Sequence, residues 1–164
     1  MKGLSFVVGG ELFAVDINGV QKIVRKMLLT HVPAVPDEII GIMNLKGKVI
    51  TVFSLTELLG RKGKRAGEYT NKAINAVVFK PLSDSEDQMG LSIDKPGDLI
   101  EIDGDIICPP SLATGANDSF CISGIAEMGD RLYRIIDIDS IINRYKINGA
   151  ETAENMSTGG INNG

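Results

Sequence analysis

Three sets of side chains in this sequence have types that could do chemistry. Cys108 and Cys121 are its only cysteines and His31 its only histidine, so a thiolate activated by an imidazole would have to come from them. Asp16, Asp94 and Asp137, with the triplet Asp103-Gly104-Asp105, could offer carboxylate oxygens to a metal ion. Asn44-Leu45-Lys46-Gly47 offers a cation on a tight polar turn, which suits recognition rather than reaction.

The first two sets weaken on inspection. The cysteines lack metal-ligand spacing, and in a reducing compartment they read as buried small hydrophobes. His31 stands between Thr30 and Val32 in a strand-like run, as a surface or edge side chain. Each of the three aspartates opens a turn or helix, where a carboxylate caps backbone amides. Asp103-Gly104-Asp105 lacks the spacing and the later Glu of a calcium-binding loop. No phosphate loop, nucleotide glycine fingerprint or Gly-x-Ser-x-Gly nucleophile site is present. From these residues the expectation is no metal and no cofactor.

The elements that must hold the turn are legible around it. Val49 to Phe53 is a mostly apolar strand, and Ser54 with Glu57 three residues on makes a capping box that opens a short helix. Leu55, Leu58 and Leu59 share one face of that helix, and Gly60 can end it. Upstream, Leu4–Val8 and Leu12–Asp16 flank Gly9-Gly10 as two strands. One or two helical turns are expected over Asn18–Ile23, then an extended strand over Val24–Val32. Pro33 to Glu38 is a proline-bracketed loop leading into Ile39–Met43.

Downstream, Arg61–Asn71 reads as a mobile connection, Lys72–Lys80 as a buried strand and Pro81–Asp87 as a polar turn. Met89–Asp94, Leu99–Ile102 and Ile106–Cys108 are short strands, the first two separated by Pro96-Gly97-Asp98. Pro109–Ser119 is a loop. Phe120–Glu127 and Arg131–Ile136 form a hairpin about Met128-Gly129-Asp130, and Asp137 caps a closing helix to Tyr145. From Ile147 onward apolar groups are few, so residues 148–164 read as a disordered tail behind a folded unit of residues 1–147.

Composition sets the outer limits. At 164 residues with 43% hydrophobic and 23% charged side chains, the chain can bury a substantial core as one domain or two small lobes. A net charge of -4 argues against a nucleic-acid surface, and the Arg61-Lys62-Gly63-Lys64-Arg65 cluster reads as a solvated loop. No apolar run approaches a membrane span and the N-terminus lacks a signal pattern, so the expected location is the cytoplasm.

The two halves of the chain echo one another. Val52-Phe53-Ser54-Leu55 with Leu58-Leu59 resembles Ile135-Ile136-Asp137-Ile138 with Ile141-Ile142, 83 positions on. Phe13-Ala14-Val15-Asp16 with Gly19 is echoed by Leu91-Ser92-Ile93-Asp94 with Gly97, 78 positions on. Many short strands with frequent turn signals favour small barrels, here two lobes whose apolar faces meet.

These segments together resemble the CheW-like domain family. Asn44-Leu45-Lys46-Gly47-Lys48-Val49-Ile50-Thr51-Val52-Phe53-Ser54-Leu55 stands where the family runs roughly Asn-Leu-Arg-Gly-x-Val-Ile-Pro-Val-x-Asp-Leu. Phe13–Ile17 with Val20–Ile23, the Val32-Pro33 to Pro36 loop, Gly41, Gly90–Asp94, and Gly124 with Gly129–Leu132 follow in the family's order. The resemblance implies a mainly β fold, two five-stranded SH3-like barrels from interleaved segments packed around a shared hydrophobic core, with short helices. It implies a non-enzymatic adaptor that couples a chemoreceptor's cytoplasmic tip to the regulatory domain of a CheA-type histidine kinase in bacterial chemotaxis. An adaptor of a related array with pili or another output is the alternative; a small β-barrel enzyme or ligand binder is the more distant one.

By the same resemblance, receptor binding falls to Asn44, Leu45, Lys46 and Gly47, with Lys22 at the rim. Kinase binding falls to the group Val35, Ile39, Ile40 and Ile42, most of which should pack in the core while one or two are exposed as anchors. Lys46 replaces an arginine and loses its bidentate fork, while Lys22 replaces an acidic residue that commonly faces it. Thr51 and Ser54 replace proline and aspartate, and serine still caps.

Overall fold

A computed structural model of the chain describes residues 1–61, 69, 72–81, 88–103, 106–107 and 120–145. The strands are β1 (Lys2–Val8), β2 (Glu11–Asp16), β3 (Val20–Leu28), β4 (Ile39–Leu45), β5 (Lys48–Ser54), β6 (Ala73–Phe79), β7 (Gln88–Ile93), β8 (Lys95–Glu101), β9 (Ile106–Ile107), β10 (Ile122–Met128) and β11 (Arg131–Ile136). Two short helices follow the two echoed strands: α1 (Leu55–Leu58) after β5 and α2 (residues 138–145) after β11.

The strands form two curled sheets, one ordered β8-β1-β2-β11-β10-β9 and the other β3-β6-β7-β5-β4. The expected pair of five-stranded lobes is therefore present, with the two-residue β9 added at one edge. The chain crosses from the first sheet to the second between β2 and β3 and returns between β7 and β8, so the lobes interleave. The half-repeat has a structural counterpart. β5 pairs parallel with β7 in one lobe, and β11 pairs parallel with β2 in the other.

Both faces of the central strands are buried, which is why they read as nearly continuous apolar runs. In β6, Ala76 and Val78 point into one lobe's interior with Val24, Leu29, Ile40, Met43, Ile50 and Val52. Val77 and Phe79, the alternate residues, point the other way into a cluster that both sheets share. That cluster joins Phe6 and Phe13, stacked with ring centroids 5.9 Å apart, to Phe53, Leu55, Leu58, Leu91 and Ile141. A third cluster of Ala14, Ile102, Ala126, Tyr133 and Ile135 fills the other lobe. Each fully buried Phe or Leu contributes about 2 kcal/mol, so the shared cluster is the largest single source of cohesion between lobes.

Three local expectations are corrected. Asn18–Ile23 is not a helix: a single 3-10 turn, Ile17–Gly19, gives way to β3 at Val20. The misreading has a physical cause, because register shifts between Val20 and Lys22 and between Val24 and Met27 break the strand's period of two. The same strand ends at Leu28, and of the expected extension only Thr30 pairs, with Ile42. Pro96-Gly97-Asp98 does not separate two strands but lies inside β8. Gly97 is there for close approach: a Cβ on it would stand 2.3 Å from Ser5 Oγ.

Ser54, Asp16 and Asp137 cap as expected, whereas the full capping box and the Asp94 cap do not form. Ser54 Oγ accepts from the Glu57 N–H at 3.4 Å, while the Ser54 N–H donates to the Glu38 carbonyl at 2.8 Å rather than completing the box. Gly60 ends the helix with φ 72°. Asp16 accepts from the Asn18 N–H at 2.9 Å and Asp137 from the Ser140 N–H at 3.1 Å. Asp94 instead accepts from the Gly9 N–H at 2.7 Å, tying the β1–β2 turn to the end of β7. Cys121 is wholly buried in the shared cluster while His31 is exposed. The connection from residue 62 to 68, the turn from 82 to 87, Gly104-Asp105, Cys108, the 109–119 loop and the tail from 148 lie outside the described residues.

Candidate functional site

The Asn44–Gly47 turn is the tip of the β4–β5 hairpin. Leu45 pairs with Lys48, leaving Lys46 and Gly47 as a two-residue loop with φ 52° and 83°. Positive φ at both positions is the type I′ geometry, whose twist matches the flanking strands and which Asn-Gly fills at least cost. Here the first position is lysine. Asn44 stabilises the loop from outside, its Oδ1 accepting from the Gly47 N–H at 3.0 Å. A Cβ-bearing residue held in this region is unfavourable by about 1 kcal/mol, so the exposed Lys46 ammonium is presented against a local conformational preference.

The sheet behind the tip is closed into a barrel by one contact. The Thr30 N–H donates to Ile42 O at 2.8 Å and the Ile42 N–H to Thr30 O at 2.9 Å, joining the chain beyond β3 to β4 at the opposite edge. Gly41 makes that seam possible: a Cβ there would lie 2.8 Å from the Thr30 carbonyl oxygen. Lys22 sits on β3, half-buried and paired through its backbone with Val78. Its neighbours Val20 and Ile23 pack on the shared cluster, in the core role expected for them.

The remaining predicted residues divide by burial. Ile40 is 1% exposed inside the barrel, so its side chain supports the strand from within. Val35, Ile39 and Ile42 are half-buried, and Ile39 packs on the shared cluster. Val35 follows Ala34, a non-glycine residue at φ 61°, in the loop before β4. The structure thus sets these four on and beside β4, the strand that ends in the Lys46 turn.

Two polar arrangements went unnoticed in the sequence, because their members are distant along the chain. Glu11 at the start of β2 is ion-paired with Arg61, beyond α1, and with Arg134 of β11 at 3.1 Å. Burial alone would raise the Glu11 carboxyl, but hydrogen bonds and charge from the two arginines outweigh it and lower its pKa. The stability this adds is complete above the usual carboxylate value of 4.5 and is lost as pH falls through the lowered folded value. Between pH 5 and 3, urea midpoints should therefore fall further for the parent than for Glu11→Gln; equal falls would show that the cluster adds nothing.

The second arrangement is at Tyr145 on α2. Its ring packs on Phe53 with centroids 4.7 Å apart, and burial followed by the Glu38 charge pushes its phenol up to about 12. Glu38 immediately precedes β4, so α2, β5 and the chain entering the hairpin are tied together at the base of the site.

Comparison with known proteins converges. The family model described as CheW-like domain matches residues 2–146. The chain is similar to Chemotaxis protein CheW of Helicobacter pylori, 28% identical over 142 residues, covering 86% of this chain and 81% of that one. It is similar to Chemotaxis protein CheW of Treponema pallidum at 26% over 145 residues, covering 88% and 83%. Among solved structures it resembles the scaffolding protein TtCheW of Thermoanaerobacter tengcongensis, with TM-score 0.67 and 30% identity over 83% of this chain and 88% of that one. With interleaved lobes, a shared core and the Asn44–Gly47 hairpin in place, this chain belongs to the CheW-like domain family.

Proposed function

We propose that this chain is a non-enzymatic cytoplasmic adaptor that couples a chemoreceptor's cytoplasmic tip to a CheA-type histidine kinase. The observation that carries the reading is Lys46, an exposed cation on a two-residue turn at positive φ, at the tip of a hairpin anchored in a barrel core. Asn44, Leu45 and Gly47 shape the receptor contact, with Lys22 at its rim. The kinase contact lies at Val35, Ile39 and Ile42, with Ile40 supporting β4 from the interior. The mechanism is geometric. Two patches on one rigid body fix the kinase relative to the receptor, and coupling requires that their contacts differ between the two signalling states.

Receptor binding tests the role of Lys46. Lys46→Glu should weaken binding of the receptor's cytoplasmic fragment about tenfold or more while leaving thermal unfolding unchanged, because the side chain is exposed. Lys46→Asn should weaken binding less and raise stability by about 1 kcal/mol by relieving the turn. Unchanged binding by Lys46→Glu would remove Lys46 from the site.

A further inference from the structure

The barrel that bears the Lys46 turn is unfilled at its other end. β5 runs from Lys48 at the turn to Ser54, where Ser54 pairs with Ser92 of β7 and Ser92 in turn with Ala76 of β6. Residues paired across adjacent strands point to one face. Ala76 lies in the barrel's interior cluster, so Ser54 and Ser92 point into the same interior. Two residues nearer the turn the corresponding row carries Val52, Gly90 and Val78, and the two valines fill that level. Small side chains at the far end leave space instead. The result is a cleft of about 290 Å³ at the barrel mouth, near the lower end of the range for small-molecule pockets.

The cleft is lined by polar groups. They are Ser54, Thr56, Lys72, Asn75, Ser92 and Asp94, while Val8 at the end of β1 adds a wall from the other lobe. Two of them are committed within the protein. Ser54 Oγ accepts from the Glu57 N–H, and the Asn75 side chain accepts from the Lys26 N–H at 3.2 Å and donates to the Asp94 carbonyl at 3.4 Å. The others are not. The half-buried hydroxyls of Thr56 and Ser92 have no hydrogen-bond partner among the described residues, and the Lys72 ammonium has no ion pair there. Asp94 uses one carboxylate oxygen, Oδ2, to accept from the Gly9 N–H at 2.7 Å, and its other oxygen has no partner among them.

A cation and a carboxylate thus line one cleft without pairing with each other. They offer opposite charges at two separate points, with hydroxyls beside them that can donate or accept. A molecule that satisfies all four groups must itself carry both charges. A simple anion would meet Lys72 but be opposed by Asp94, and a simple cation would meet the reverse.

We infer that the mouth of this barrel binds a small zwitterion of the α-amino-acid class. Its carboxylate meets the Lys72 ammonium and the Thr56 and Ser92 hydroxyls, and its ammonium meets the unpartnered oxygen of Asp94. The site lies at the opposite end of β5 from the Lys46 turn and does not depend on the adaptor reading.

The test is a titration of the full, ¹⁵N-labelled chain with L-alanine, followed by amide chemical shifts. L-lactate, which has a hydroxyl in place of the ammonium, and ethylamine, which lacks the carboxylate, are the comparison probes. Saturable shifts at the Thr56, Lys72 and Ser92 amides are expected, with a midpoint of about 1 to 10 mM, as suits so small a ligand. L-lactate and ethylamine should bind about tenfold more weakly or worse. Lys72→Met and Asp94→Asn should each weaken L-alanine about tenfold. Lys72 is exposed, and Asp94→Asn keeps a side-chain oxygen to accept from Gly9, so both should fold. Asp94→Asn should also bring L-lactate level with L-alanine, which a merely structural change would not do. Lys48→Asn, at the turn end of β5, should bind as the parent. Absence of saturable shifts with L-alanine, or shifts confined to other residues, would overturn the site. L-lactate or ethylamine binding the parent as tightly as L-alanine would overturn the zwitterion, and parent-like binding by either Lys72→Met or Asp94→Asn would overturn the pairing of charges.

Discussion

Gly97→Ala is expected to destabilise the fold by about 4 kcal/mol. The added Cβ would lie 2.3 Å from Ser5 Oγ and 2.8 Å from the Ser5 carbonyl oxygen. Neither neighbour yields easily. Ser5 Oγ donates to the Asp98 carbonyl and accepts from the Asp98 N–H, both at 2.9 Å, so displacing it breaks a part-buried reciprocal pair. Ser5 is itself 4% exposed, and its carbonyl belongs to β1 where the register to β8 shifts. Urea unfolding would show the loss as a lower midpoint at unchanged slope; a midpoint within experimental error of the parent would refute the close packing of β1 on β8.

Gly41→Ala should cost about 3 kcal/mol, and its consequence should extend to function. With φ 155° and a Thr30 oxygen 2.8 Å from the new Cβ, the Thr30–Ile42 bridge cannot persist unchanged. That bridge closes the barrel that bears the Lys46 tip. Hydrogen exchange at the Thr30 and Ile42 amides should rise before exchange in β6 does, since β6 pairs on both sides. Gly47→Ala is the comparison. It has open space at its Cβ and only the φ of 83° against it, so about 1 kcal/mol is expected. Equal losses for the two would mean that closure of the seam matters no more than any positive φ.

How much of this was visible in the sequence depends on how local each signal is. The strand-turn-helix unit at the hairpin was legible because its signals lie within seventeen residues: Asn44 and Gly47 for the turn, the mostly apolar run Val49–Phe53 for β5, Ser54 for the cap and Gly60 for the stop. The half-repeat was legible because matching core positions precede matching caps, and the parallel β5–β7 and β11–β2 pairs explain it. β3 was not, since its irregularities imitate a helical repeat. Gly97 looks like a turn glycine in one dimension and Gly41 like a gap in an apolar run, and only pairing across the sheet reveals them as points of close approach. For the site, the residue types at Lys46 and Lys22 were readable, whereas the positive φ that presents Lys46 was not.

The same limits apply to the Val35, Ile39, Ile40 and Ile42 group. Four apolar residues near one another in sequence cannot be sorted into core and surface until the direction of β4 is known. Ile40 then falls inside the barrel at 1% exposure, and Ile39 and Ile42 fall outside it.

The most direct test of the adaptor is a calorimetric titration of the full chain into the regulatory region of the CheA-type kinase from the same genome, repeated with the receptor's cytoplasmic fragment present. Saturable one-to-one binding, and a ternary complex in which kinase autophosphorylation changes, is the predicted result. Absence of binding to any such kinase would contradict the account, leaving the two-lobed fold intact and its proposed role overturned.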